Sequence, residues 1–471
     1  MQYTTTFPFP RNDISKGQIP RFQLSEIKFP LLQIGDSISK VPIVQGGMGV
    51  GVSLSRLASA VANQGGIGVI AANAIGMIEP DYYQNGKEAN KRALRNEIRK
   101  ARQMSQGLIG VNIMLAVNDF DNMLQVSIDE RVDMVFLGAG LPLSGIPVRE
   151  LRDAGIKVVP IVSSARAARL IFTYWQKNYA TVPDGVVVEG PKAGGHLGFK
   201  IHEIHDPEYA LEKLVPQVID AVSPFAKSFD KAVPVIAAGG IFTGEDIYKY
   251  LEMGASGVQM ASRFVATHDC DVDIKFKEAY VNCREEDIMI IASPVGLPGR
   301  AIKNSFLEGV HSGEAKKFRC PWRCLASCKA HDAKYCISEA LNNARQGILN
   351  DGYAFAGANV PRIDKIVSVK EIFDELKEEY VCVVEKNTVS LRNELEKGLR
   401  KLNGLIEEYK KTMETNVKTL KVEVETAIEK KITTRVNAIK EEYARHAENI
   451  NLLKNRLSRF FDISGVDLNL N

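Results

Sequence analysis

Between residues 41 and 267, short apolar runs rich in β-branched residues alternate with longer stretches whose apolar positions recur at helical spacing. The short runs predict eight strands, at 41–44, 67–71, 108–114, 134–137, 158–162, 186–189, 233–237 and 257–260. Between them the pattern predicts helices, among them those at 53–64, 88–104, 165–175, 209–221 and 245–253. Strand and helix alternating eight times within about 230 residues match an α/β fold of the (β/α)8 TIM-barrel type, which usually takes about 250 residues. A doubly wound open sheet would carry GxGxxG in its first βα turn. That turn reads Gln45-Gly46-Gly47-Met48-Gly49, glycine-rich with a different spacing.

The pattern changes on both sides of the barrel region. Residues 1–40 predict an N-terminal arm, and residues 268–380, mixed and rich in turns, predict a lid or insertion that also closes the barrel. From 390 to 461 there is no proline, and a thin apolar stripe runs through a charged background. Leu395, Leu399, Leu402, Ile406, Tyr409, Met413, Leu420 and Ala427 follow a three-four spacing interrupted at Asn416. A second seam in shifted phase continues through Ile432, Val436, Ile439, Tyr443, Ile450, Leu453, Leu457 and Phe460. This coiled-coil-like extension predicts one long helix or a helical hairpin, and its narrow stripe predicts self-association into a homo-oligomer.

Composition narrows the function classes. The 471 residues are 45% hydrophobic, enough for a sizeable core, and 60 basic residues nearly balance 57 acidic ones. That balance gives no reason to expect nucleic acid as a partner. No run approaches the roughly 20 apolar residues of a membrane span, and the N-terminus does not read as a secretory signal. Seven cysteines in a long chain point to reduced thiols in the cytoplasm rather than a disulfide framework.

In a TIM barrel the chemistry sits where the strands end. Gly46, Gly47 and Met48 follow the first predicted strand, Asn112 lies at the end of the third, residues 190–198 follow the sixth, and Gly239 and Gly240 follow the seventh. Glycines there let backbone amides approach a ligand, and the seventh and eighth strands are the usual phosphate position. Amides after Gly239 and near Ala261 and Ser262 can hold a phosphate; Arg263 adds charge or makes a surface ion pair. His196, between glycines at a predicted strand end, is the candidate for proton transfer, with a pKa expected near neutrality. His202, His205 and His268 lie in polar stretches and read as structural. Cys320, Cys324, Cys328 and Cys336 form CxxxCxxxCx7C, which is not the usual zinc or ferredoxin spacing; packed thiols in a lid and an iron–sulfur site both remain open.

The motifs PIVQGGMGVG, GVNIML, EGPKAGGHLG, PVIAAGGI and GVQMASRF occur in that order, and together they resemble the nitronate monooxygenase (2-nitropropane dioxygenase) family, which includes FMN-dependent enoyl-ACP reductases. The resemblance covers about 41–304 and extends weakly through 352–376. It implies FMN held without a covalent bond by Gly46, Gly47, Met48, Asn112, Glu189, Gly194, Gly239, Gly240, Gln259, Met260, Ala261 and Ser262, with His196 catalytic. Three positions depart from the family's pattern: Glu189 stands where glutamine is common, Lys192 where an acid is common, and Ala261 where glycine is usual. The implied reaction is oxidation of alkyl nitronates by dioxygen. An NAD(P)H-dependent reductase of an enoyl thioester or quinone is the alternative, and a non-catalytic scaffold with a heptad tail is a third.

Overall fold

The computed structural model describes residues 27–320, 322–326, 328, 331–420 and 428–464. Residues 1–26 of the expected arm and Ala427 of the first seam lie outside the described residues, as do the side chains of Leu420 and Ile432. The chain divides into two compact units, one of residues 29–380 and one that includes residues 381–471.

The first unit opens with a hairpin of β1 (Leu32–Ile34) and β2 (Ser37–Ser39). Then come β3 (Ile43–Gln45), α1 (Ser55–Asn63), β4 (Gly68–Ala71), α2 (Tyr82–Met104), β5 (Ile109–Met114), α3 (Phe120–Asp129), β6 (Met134–Gly138) and α4 (Val148–Asp153). They are followed by β7 (Lys157–Val162), α5 (Ala165–Tyr179), β8 (Val186–Glu189), β9 (Gly195–His196), α6 (Leu211–Ser228), β10 (Val235–Ala238), α7 (Gly244–Glu252), β11 (Gly257–Met260) and α8 (Ser262–Val265). β3, β4, β5, β6, β7, β8, β10 and β11 form one parallel eight-stranded sheet, and the parallel bridge Val44–Ile67 joins its two ends into a barrel. Each of these strands lies within two residues of its predicted position, because both faces of every strand are covered and the apolar runs are correspondingly continuous.

Alternate residues fill the barrel: Ile67 and Val69, Met134 and Phe136, Val159, Val187, and Ile236 and Ala238 make one apolar cluster. Leu32 and Ile34 of the hairpin belong to the same cluster. Residues 32–39, read as part of an arm, therefore plug the barrel.

Residues 268–380, expected as a lid or insertion, contribute α9 (Ile274–Val281), β12 (Ile288–Ala292), β13 (Pro298–Ile302), α10 (Ser305–His311) and α11 (Ile337–Arg345). β12 and β13 pair antiparallel and recruit β9 from the barrel as a third strand. A second apolar cluster, which includes Tyr82, Phe306, Tyr335, Ile337 and Tyr353, joins this region to α2. α12 (Val369–Leu420) begins in this unit, where Val369, Ile372, Phe373, Leu376 and Tyr380 are buried at helical spacing.

In the second unit α13 (Ile428–Ser464) returns beside the later part of α12. Arg456 pairs with Glu394 at 3.7 Å, and Leu391, Leu457 and Phe460 are buried. The tail is thus a helical hairpin, one of the two arrangements its pattern allows. Leu399, Leu402, Ile406, Val436, Ile439 and Leu453 along its seam are half-buried, and Met413 and Tyr443 are exposed. No described helix is long and apolar enough to cross a membrane.

Candidate active site

The barrel strands end at a cavity of about 320 Å³, near the lower limit for small-molecule sites. All thirteen residues selected from the sequence line it. Gly46, Gly47 and Met48 come from the loop after β3, Asn112 from β5, Glu189 from the end of β8, and Gly194 and His196 from the segment that follows. Gly239 and Gly240 come from the loop after β10, with Gln259 and Met260 from β11 and Ala261 and Ser262 from the start of α8. His202, His205 and His268 are not among the lining residues.

The first loop is held from below. Gln45, fully buried, donates from Nε2 to Ser53 Oγ at 2.9 Å and accepts the Val69 amide on Oε1 at 3.0 Å. Ser53 Oγ in turn accepts the Met48 amide at 2.9 Å. At the opposite wall Gly239 and Gly240 have φ of +96° and +87°, a region that side chains disfavour. A Cβ on Gly239 would stand 2.8 Å from the Gly190 carbonyl oxygen. Backbone alone therefore forms this wall.

The lining continues into a segment that sequence reasoning missed, residues 354–359. The Gly357 amide donates to Ser262 Oγ at 2.9 Å, Asn359 Nδ2 donates to the Gly240 carbonyl at 2.6 Å, and the Ala358 amide donates to the Lys192 carbonyl at 3.0 Å. One short stretch thus ties together the loops after β8, β10 and β11. Arg300 also lies outside the residues selected from the sequence. It is buried, and its Nη1 donates to the carbonyls of Pro191 at 2.5 Å and Ala193 at 2.6 Å. Burial lowers its pKa to about 10, so it stays charged at pH 7 and fixes the glycine-rich loop before His196. No periodicity marks Arg300 or residues 354–359; both act through carbonyls distant in sequence.

His196 is not in a free loop. Its backbone pairs with Gly299 of β13, its Nε2 lies 2.8 Å from Ser293 Oγ, and its ring stands edge-on to Phe355 with centroids 5.1 Å apart. Burial pushes its pKa down to about 4, against the expected value near neutrality, so the imidazole is neutral at pH 7. Burial acts in the other sense on Glu189, raising its carboxyl to about 7. Arg263 is buried rather than on the surface: it pairs with Glu375 at 2.6 Å, donates to the Phe242 carbonyl and lies over the Phe242 ring. From the lid, Phe276, Tyr280, Val295, Leu297, Leu325, Ile337 and Leu341 give the cavity an apolar roof. Among the described residues no group of three or more His, Cys, Asp or Glu side chains could hold a metal ion.

A family model described as nitronate monooxygenase matches residues 33–379, well over half of the chain. The chain belongs to the nitronate monooxygenase family. This family consists of oxidoreductases, and the match covers nearly the whole of the barrel unit. Over 272 residues this family member is 30% identical to a (3aS,4S,5R,7aS)-5-hydroxy-7a-methyl-1-oxo-octahydro-1H-indene-4-carboxyl-CoA dehydrogenase of Mycobacterium tuberculosis (strain ATCC 25618 / H37Rv). That alignment takes in 58% of this chain and 66% of the relative, just under two thirds of its length. A probable nitronate monooxygenase of Staphylococcus aureus (strain MSSA476) is 27% identical over 303 residues, covering 57% of this chain and 76% of that one. FabK from Thermotoga maritima superposes with a TM-score of 0.59 at 29% identity, covering 78% of this chain and 97% of that chain.

Proposed function

We propose that this nitronate monooxygenase family member binds FMN and oxidises alkyl nitronates with dioxygen. The observation that carries the reading is the convergence of five separate segments at the strand ends, each with a family motif, on one cavity. The residues present fit the cofactor. Gly239, Gly240, Ala261 and Ser262 offer a backbone cradle of the kind that holds a phosphate. Gly46, Gly47, Met48, Asn112, Glu189, Gly194, Gln259 and Met260 would hold the remainder.

When bound, FMN supplies the two-electron oxidation and the reaction with dioxygen. The chain's own residues bind and orient the substrate. A nitronate arrives already deprotonated, so a neutral His196 serves as a hydrogen-bonding partner to its oxygens without a proton to remove. The apolar roof excludes water, and that strengthens each polar contact beneath it. In its protonated form, favoured below pH 7, Glu189 donates a hydrogen bond as the more common glutamine would.

One observation favours a second reading. Glu189, near pKa 7, holds a proton in about half of the molecules at pH 7, and reduction of an enoyl thioester or quinone by NAD(P)H consumes protons, whereas oxidation of a nitronate does not. The deciding experiment follows the visible spectrum of the purified protein anaerobically, first with a nitronate and then with reduced nicotinamide. Bleaching by the nitronate alone supports the monooxygenase, bleaching by the nicotinamide alone supports the reductase, and a colourless protein removes both. The reading also includes a reduced cytoplasmic setting, consistent with seven free thiols. It further includes self-association through the tail, whose half-buried seam a second hairpin would cover.

A further inference from the structure

Among the residues that line the cavity, Glu189, Lys192 and Arg263 are the carboxylate, ammonium and guanidinium side chains. Two of them leave little free charge. Arg263 pairs with Glu375 at 2.6 Å, and burial raises the Glu189 carboxyl to about 7, so it is only partly ionised at neutral pH. Lys192 is exposed, and among the described residues its ammonium has no ion pair or hydrogen bond. A cavity lined by one uncompensated ammonium attracts an anion.

Lys192 stands at the wall that Gly239 and Gly240 form from backbone. A Cβ on Gly240 would stand 2.8 Å from Lys192 Cβ and 3.0 Å from its Cδ. The lysine stem therefore lies along the bare face of Gly240, and a side chain at that position would displace it. The backbone that carries the stem is fixed. The Lys192 carbonyl accepts the Ala358 amide at 3.0 Å, and Arg300 Nη1 holds the carbonyls of its two neighbours, Pro191 at 2.5 Å and Ala193 at 2.6 Å. The segment that supplies Ala358 also binds Ser262 Oγ through the Gly357 amide and the Gly240 carbonyl through Asn359 Nδ2. Lys192, Gly240 and Ser262 are thus held in one tied assembly. A lysine anchored this way brings a compact charge on a flexible stem to a fixed place, which suits a phosphate and requires no bidentate match.

We propose that Lys192 is the counter-charge for the phosphate of FMN at the Gly239–Gly240 wall, and that it makes the site select FMN over riboflavin, which has the same ring and ribityl chain without the phosphate. This assignment rests on the flavin reading and deepens it, since it names the side chain that meets the phosphate as a charge.

The test titrates the full chain, freed of flavin, with FMN and with riboflavin, following flavin fluorescence, for wild type, Lys192→Met and Lys192→Arg. Because Lys192 is exposed, the variants should unfold at the wild-type temperature when flavin-free. Lys192→Met should weaken FMN about tenfold to 100-fold, the range for a hydrogen bond to a charged group, and leave riboflavin affinity nearly unchanged. Lys192→Arg should restore most of the preference for FMN. Added salt should narrow that preference in wild type and hardly affect it in Lys192→Met. An FMN-to-riboflavin ratio that is the same in wild type and Lys192→Met would overturn the proposal, as would an equal loss of both flavins, which marks a role for the stem in packing against Gly240. A wild-type chain that binds neither flavin would instead remove the flavin reading, and this assignment with it.

Discussion

His196 Nε2 lies 2.8 Å from Ser293 Oγ, so a residue 97 positions later in the chain holds the imidazole at the cavity wall. Ser293 follows β12, and the same small sheet places the His196 backbone opposite Gly299. The ring is therefore fixed by backbone pairing, by the Ser293 hydroxyl and by Phe355 at once, and the burial that fixes it also keeps it neutral.

Replacing His196 with Asn retains a hydrogen-bonding side chain and removes the imidazole. If His196 hydrogen-bonds the substrate, turnover should fall by up to about 100-fold to 1,000-fold with flavin content largely retained. Steady-state kinetics on fully flavinated protein checks this, and wild-type turnover with both nitronate and enoyl substrates would end the catalytic assignment.

Ser293→Ala tests positioning. It removes one hydrogen bond worth about 1 kcal/mol and should lower kcat by about tenfold or less with little change in stability. The His196 ring resonances should shift in the NMR spectrum, a change that a remote structural effect would not produce.

The pH dependence of stability in the flavin-free protein should show two opposed slopes. His196, lowered from 6.5 to about 4, binds fewer protons folded than unfolded in that window; its contribution is present above pH 6.5 and is lost as pH falls toward 4. Glu189, raised from 4.5 to about 7, binds more protons when folded, so its contribution is present below pH 4.5 and is lost as pH rises toward 7. The two nearly cancel where they overlap. Glu189→Gln should expose the rising slope and His196→Asn the falling one, measured by urea unfolding at a series of pH values; parallel profiles for the two variants would contradict the assignment.

Gly239→Ala places a methyl group at φ +96° and 2.8 Å from the Gly190 oxygen. The strain should cost about 1–3 kcal/mol, and flavin recovered from the purified protein should fall several-fold. Flavin content equal to wild type would remove this loop from the binding site.

Removing residues 390–471 should leave flavin content unchanged and lower the oligomeric state seen by light scattering. An unchanged mass per particle, after allowing for the deleted residues, would show that the hairpin satisfies its own seam.

Much of the barrel and its mouth was legible in the sequence because both are local properties. Strands 134–138 and 186–189 are apolar on both faces, and the turn-forming glycines at 46–47 and 239–240 sit directly after their strands. His196 stood out for the same reason. Its pKa did not, because the environment that lowers it comes from β12, β13 and Phe355, none of which is adjacent in sequence.

The order of hydrophobic positions and turn residues by itself determined eight barrel strands, the glycine-rich strand ends that line the cavity and the helical character of the tail, since period and turn chemistry act over a few residues. Tertiary structure decided the rest. It turned the N-terminal strands into a plug, committed Arg263 to Glu375 and Arg300 to two loop carbonyls, and folded the tail back at the Glu394–Arg456 pair. It also set Glu189 and His196 on opposite sides of their usual ionisation. Burial and long-range hydrogen bonds depend on which distant segments meet, and no local pattern encodes that meeting.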